Sequence, residues 1–228
     1  MEQSLGRRSF EAVAQFLVFL AALIFLPAWS LRYWQGWLFL AVFSAAVIVT
    51  TVYFLRADPA LIERRLKAGA AAEARRSQKV IQALASVLFF LTVLVPVLDH
   101  RFGRSPVPAS VSVSVAGDVL VVLGFVVIFL VFKANSYTSG VVEIGEDQKV
   151  ISTGPYAIVR HPMYSGALLM FLGIPLALGS WWGLLLLIPM TAVLVWRLVD
   201  EEKFLEEELP GYRAYRQKVR YRLAPWIY

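Results

Sequence analysis

Long apolar runs alternate with short polar connections along this chain. Phe10 to Ala28, Gly36 to Leu55, Val80 to Leu98 and Val111 to Phe132 are each close to the ~20 residues that a bilayer-spanning helix needs. Two further runs, Tyr164 to Leu178 and Trp181 to Leu198, are shorter and meet at Gly179-Ser180, which predicts a tight helical hairpin. At 1.5 Å per residue the first of these reaches roughly 22 Å against a ~30 Å hydrocarbon core, so the pattern allows five full spans or six. Arg7 and Arg8 precede the opening run, as they would in a signal peptide. Its apolar core is longer than an h-region, no small-x-small site follows, and more spans come after it, so it reads as an anchor. The polar stretch Arg56 to Lys79 predicts an interfacial helix starting near Asp58-Pro59, with Leu61, Ile62 and Leu66 on one side and basic residues on the other. No chemistry is expected of it.

Composition turns this pattern into a class. The chain has 228 residues, of which 59% are hydrophobic and 17% charged, with a mean hydropathy of +0.66; soluble domains carry about 25% charged residues. An all-α integral membrane protein is implied. With no cysteine, a disulfide frame, a thiolate nucleophile and Cys-ligated metal sites are excluded, and the two histidines, His100 and His161, lie too far apart in sequence to suggest a metal site. The net charge of +6 reads as orientation, not nucleic-acid binding, because the basic residues flank apolar runs. If the N-terminus is cytoplasmic and six segments alternate, that side holds 19 Lys and Arg, including seven from Arg56 to Lys79 and seven from Arg197 to Arg222. Only Arg32, Arg101 and Arg104 fall opposite. The Tyr33-Trp34-Gln35-Gly36-Trp37 stretch reads as an interfacial aromatic belt.

The candidate chemistry sits in two polar clusters at the ends of the last apolar runs. TGPYAIVRHPMYSG, Thr153 to Gly166, brings Arg160, His161, Tyr156 and Tyr164 to a turn that cannot lie in lipid. Gly154-Pro155 breaks any helix, and Pro162 biases His161 away from α geometry, so a helix starts at about Met163 with backbone N–H groups suited to an anion. Read singly, His161 is a capping residue and Arg160 a topology anchor; their adjacency to Pro162 and two tyrosines favours a functional turn. The second cluster is Arg197, Asp200, Glu201 and Glu202. Helical spacing lets Arg197 and Glu201 pair on one face while Glu202 points elsewhere. Carboxylates directly after a membrane segment are costly unless hydrogen-bonded, and ribose hydroxyls or an amino group would satisfy them. No Rossmann or P-loop pattern occurs.

The run G-P-Y-x-x-V-R-H-P-x-Y-x-G (Gly154 to Gly166), Asn135, the R-x-x-x-E-E of Arg197, Glu201 and Glu202, and the G-Y-x-x-Y-x-x-x-V of Gly211, Tyr212, Tyr215 and Val219 resemble the isoprenylcysteine carboxyl methyltransferase family. That family is similar to the phospholipid N-methyltransferases. The resemblance covers about Lys133 to Tyr228 and implies two regions: helices 1–4 within residues 1–132, and a methyltransferase region over 133–228 with a C-terminal helical hairpin and a cytoplasmic cofactor-binding region. It implies S-adenosylmethionine as donor, S-adenosylhomocysteine as product, and a lipophilic or lipidated acceptor arriving from the bilayer. By the same resemblance, Tyr156, His161, Pro162, Tyr164, Gly166, Arg197, Glu201, Glu202, Tyr212 and Tyr215 would bind the cofactor. Arg160, His161, Asn135 and Glu201 would serve the reaction. Ser136 and Asp147-Gln148-Lys149 depart from the eukaryotic pattern, where Phe and a Glu-His pair stand, and so leave the acceptor open.

Methyl transfer from a sulfonium needs in-line positioning and exclusion of water more than acid–base power. A carboxylate acceptor needs no base, whereas an amine or thiol must lose a proton, to His161 or a glutamate. The rival class is a transporter or scaffold, for which Asp118, Gly124 and Pro96 are the mid-span candidates.

Overall fold

The structure is a computed structural model that describes residues 2–67, 69–103, 110–143 and 148–227. Arg104 and Asp147 lie outside these. Eight α-helices follow in order: α1 Glu2–Ala28, α2 Trp34–Ala57, α3 Pro59–Leu66, α4 Arg76–Phe102, α5 Val111–Ala134, α6 Pro162–Ala177, α7 Leu187–Glu208 and α8 Tyr212–Lys218. Short 3₁₀ turns occupy Ala70–Ala72, Gly154–Ala157 and Trp182–Leu186. No strand occurs among the described residues. Five helices are long and apolar enough to cross a membrane, namely Leu5–Ala28, Trp34–Ala57, Arg76–Phe102, Val111–Ala134 and Trp182–Glu208. The chain is a helical, multi-pass membrane protein.

Local chemistry sets the helix ends. Asp58 Oδ1 accepts from the Leu61 N–H at 3.0 Å while Pro59 occupies the first position of α3. Ser110 caps α5 by accepting from the Val113 N–H, and Gly103, at φ 59°, ends α4 with its N–H on the Asp99 carbonyl. Outward faces are apolar, as lipid requires: Val18, Leu26 and Ile188 are about 70% exposed. Between the helices, Leu20, Ile24, Phe39, Phe43, Val97 and Ile174 form the central core.

The tightest contact is α5 against α6, built on glycines seven residues apart on each helix. A Cβ at Gly117 would meet the Ala177 backbone N at 2.1 Å, and one at Gly124 the Gly166 carbonyl at 2.6 Å. Gly166 and Gly173 approach α5 in the same way, at 2.9 and 2.6 Å from the carbonyls of Gly124 and Gly117. Absent side chains let the backbones close up, the usual means of helix association in lipid. Gly124 is thus a packing residue, not a pathway hinge, and Pro96 packs beside Gly183. These pairings set α6 antiparallel to α5, beginning near the C-terminal end of α5 and finishing near its N-terminal end. The turn after α6 is fastened there: Tyr33 Oη donates to the Leu178 carbonyl at 2.5 Å, and Ser180 Oγ to Asp99 Oδ2 at 2.6 Å. Tyr33 therefore does not join the interfacial belt; it is fully buried and stacked on His100, while Trp34 and Trp37 stay exposed.

Candidate functional site

The Gly154-Pro155 break forms a 3₁₀ turn, Pro162 starts α6, and His161 is left at the helix boundary with extended-side backbone geometry. The C-terminal tail pairs with this loop. Arg160 N–H donates to the Tyr221 carbonyl and His161 N–H to the Arg222 carbonyl, both at 2.9 Å, and Ser165 Oγ donates to the Leu223 carbonyl at 2.6 Å. These two loop N–H groups are thus spent on the tail, while those of Tyr164 and Ser165, at the start of α6, donate to the His161 carbonyl.

Glu202 is the keystone of this junction. Only 3% exposed, it accepts from Arg160 Nε at 2.6 Å and His161 Nε2 at 3.1 Å through Oε1, and from Arg222 Nε at 3.0 Å through Oε2. Arg160 Nη1 donates further to the carbonyls of Val219 and Arg220. A carboxylate only accepts, so the contact orients His161 with Nε2–H toward Glu202 and leaves Nδ1 as the acceptor nitrogen. Glu202 is not among the residues that line the cavity beside it; its two oxygens already accept from three side chains. Gly166 is likewise absent from the cavity wall, being consumed by the contact with α5.

The cavity lies between residues 135–143 and 148–151, the Arg160-His161-Pro162 loop and the α7–α8 turn. Of the sequence candidates, Asn135, Tyr156, Arg160, His161, Pro162, Tyr164, Arg197, Glu201, Tyr212 and Tyr215 come together on its walls. A relay crosses it: Arg197 Nε donates to Tyr164 Oη at 3.0 Å, and Tyr164 Oη donates to Glu201 Oε2 at 2.6 Å. Glu201 Oε1 has no hydrogen bond among the described residues. Arg197 and Glu201 are thus bridged by a phenol instead of pairing directly, since the tyrosine reaches between them. Asn135 Nδ2 donates to Tyr156 Oη at 3.2 Å, and Tyr215 Oη donates to the Tyr156 carbonyl at 2.8 Å. Tyr212 Oη is buried with no hydrogen-bond partner among the described residues. Burial pushes the Tyr156 phenol up to about 12 and raises those of Tyr212 and Tyr215 as well, so all three remain neutral hydrogen-bonding groups at physiological pH.

Residues 56–79, expected to form an interfacial helix without chemistry, reach the site's second polar cluster. Glu73 is 2% exposed and accepts from Arg197 Nη2 at 3.0 Å and from the Val142 N–H at 3.1 Å. Gln82 on α4 takes Arg197 Nη1 at 2.6 Å, and Arg65 donates to the Ser139 carbonyl at 2.8 Å. Asp200 turns away to Arg75, Ser77 and Gln78. A carboxylate within a basic run reads as a solvated charge, and with Arg197 expected to pair with Glu201 no signal in the sequence pointed to Glu73.

Residues 113–210 match the family model of the phospholipid methyltransferases. Among curated proteins none matches the chain significantly. The matched segment runs from α5 to the α7–α8 turn and includes the loop, the relay and Glu202. Over that segment, and with five helices apolar and long enough to cross a membrane, the chain is similar to the membrane-bound phospholipid methyltransferases. Tyr212, Tyr215, the tail and Glu73 fall outside the matched segment.

Proposed function

We propose that this protein transfers a methyl group from S-adenosylmethionine to a lipophilic acceptor that reaches the site from the bilayer, with the site on the cytoplasmic side. The observation that carries the reading is the Arg197–Tyr164–Glu201 relay, which aims an unpartnered carboxylate oxygen into a tyrosine-lined cavity. The donor's chemistry fits these walls. Glu201 Oε1 suits ribose hydroxyls or the amino group, tyrosine faces suit the adenine and the sulfonium, and the orphaned Tyr212 hydroxyl gains the partner it lacks. Bound donor would supply an activated methyl on its sulfonium. This chain's residues would bind it, orient it and keep water out. The cavity encloses about 110 Å³, less than the ~300–1,000 Å³ of ligand pockets, so seating a nucleoside requires the 138–143 segment and the α7–α8 turn to part.

An apolar groove of about 650 Å³ lies on the other side of Pro162, against Val127 and Leu130 of α5 and Ile158. It gives a lipophilic chain a route along α5 to the loop. The acceptor we favour is the carboxylate of an isoprenylcysteine-like molecule: it arrives already nucleophilic, and needs positioning by Arg160 and Asn135 but no base. The family match favours a second acceptor, the amine of a phospholipid. There His161 Nδ1, oriented by Glu202, would take the proton. The 19-to-3 distribution of Lys and Arg supports the cytoplasmic placement, where the donor is available.

The test is calorimetric titration of detergent-purified protein with S-adenosylhomocysteine, followed by transfer of labelled methyl to prenylcysteine, aminophospholipid and small-thiol acceptors. Stoichiometric binding weakened by Glu201→Gln and transfer to the prenylcysteine carboxylate are expected. No binding would overturn the donor assignment, and transfer to the amine alone would replace the favoured acceptor with the second.

A further inference from the structure

We propose a second binding site, distinct from the methyl-transfer cavity: an arginine cavity under the C-terminal tail that holds the phosphate of an anionic phospholipid. The cavity measures about 590 Å³ and is lined by Arg160, Arg216, Gln217, Arg220 and Arg222. Every one of these side chains donates hydrogen bonds and none is a carboxylate. Among the described residues Glu202 meets Arg160 and Arg222, and Glu206 meets Arg216. Arg220 has no side-chain partner among the described residues. Planar guanidinium forks lining one space match the geometry and charge of a phosphate.

The surroundings choose a lipid over a soluble anion. Directly after Arg222 the tail descends along the bundle, where Leu223 and Pro225 share a groove wall with Val127, Leu130 and Lys133, in the last two turns of α5. The tail next to Arg222 therefore lies beside the end of that span. Trp226 and Ile227 beyond it are 87% and 84% exposed, a cost in water but a favourable placement in the headgroup region. A tail with arginines on one side and exposed apolar residues at its end fits a molecule with a phosphate and acyl chains. Glu202 and its buried guanidinium partners stand between this cavity and the His161 side, so the lipid held here is not positioned as the methyl acceptor. The inference does not depend on which donor or acceptor the other cavity takes.

The experiment uses full-length protein in neutral detergent, titrated with dioctanoyl phosphatidylglycerol, dioctanoyl phosphatidylcholine and inorganic phosphate, with bound lipid counted by native mass spectrometry. Saturable retention of the anionic lipid is expected, with weaker retention of the zwitterionic one. The pair Arg216→Gln/Arg220→Gln should lower affinity at least ~10-fold, since each substitution removes a charge-assisted contact. The pair Arg213→Gln/Lys218→Gln, exposed on the same segment but off the cavity, should leave it unchanged. Thermal unfolding of both pairs checks that the fold is kept. Equal losses from the two pairs would reduce the site to diffuse surface charge and overturn the proposal. Inorganic phosphate binding as tightly as the lipid would overturn the lipid assignment.

Discussion

Two adjacent glutamates do different work because one helical step turns them to different neighbours. Glu202 is buried against two guanidinium groups and the His161 imidazole, so Glu202→Gln leaves guanidinium charge in a dry site. A loss of ~3–5 kcal/mol of stability is expected, read as a large fall in the unfolding midpoint and release of the tail. Glu201 has a single protein donor. Glu201→Gln should leave the midpoint nearly unchanged and weaken S-adenosylhomocysteine binding by ~1.5–3 kcal/mol, whereas Glu207→Gln on the exposed side should change neither; equal effects of Glu201→Gln and Glu207→Gln on binding would rule out the cavity role. The buried tyrosines add a pH dependence. Their folded pKa lies above the ordinary value of 10.0, with Tyr156 at about 12, so the folded state favours the neutral phenol. The stability tied to this is intact below pH 10 and is lost as pH rises toward 12. Thermal unfolding across that window should fall less steeply for Tyr156→Phe than for the wild type.

At the scale of elements, the loop before α6 is held by α7 and the tail, and α6 itself is held by α5. Gly117 tests the second of these, since a Cβ there meets backbone that cannot move aside. Gly117→Ala should cost ~1–3 kcal/mol from overpacking, while Gly6→Ala, with nothing within 4 Å, should be neutral or slightly stabilising. A comparison of unfolding midpoints decides it, and equal midpoints would show that the glycine seam is not tightly packed. The sequence discloses its elements unevenly, for physical reasons. The four long spans and the Asp58-Pro59 start of α3 are legible from hydropathy and capping chemistry. So is the set of residues on the cavity wall, because Arg160, His161 and the tyrosines crowd one short run. The direction of each side chain is not legible. Helical spacing places Arg197 one turn from Glu201, but Tyr164, from another helix, enters between them. Glu73 is invisible in the same way, as its burial depends on a partner 124 positions away. Glycines such as Gly166 look like motif residues in one dimension and become helix contacts in three.

For the whole molecule, the short α6 decides how the site is oriented. Five helices are long enough to span; if α6 did not cross as well, the N-terminus and the α7–α8 region would face opposite sides. The glycine contacts carry α6 antiparallel along α5 until Ala177 meets Gly117, and Tyr33 and Asp99 hold the following turn at the end of the bundle where α1 joins α2. Gly183 then tucks against Pro96 and Pro175, and the chain returns through α7. The short helix thus runs between the two ends of the bundle with help from the turn and its neighbours, and a crossing by it would place the basic 56–79 segment, the loop and α8 at one end. Single cysteines in this Cys-free chain test the arrangement at three exposed positions, Arg32, Lys67 and Arg213. With an impermeant maleimide on sealed vesicles, Lys67→Cys and Arg213→Cys should label from the same, cytoplasmic side and Arg32→Cys from the other. Arg213→Cys labelled together with Arg32→Cys would mean that α6 does not cross. Lys67→Cys on the outer side would separate the site from the cytoplasmic donor pool and leave the proposed reaction without its methyl source.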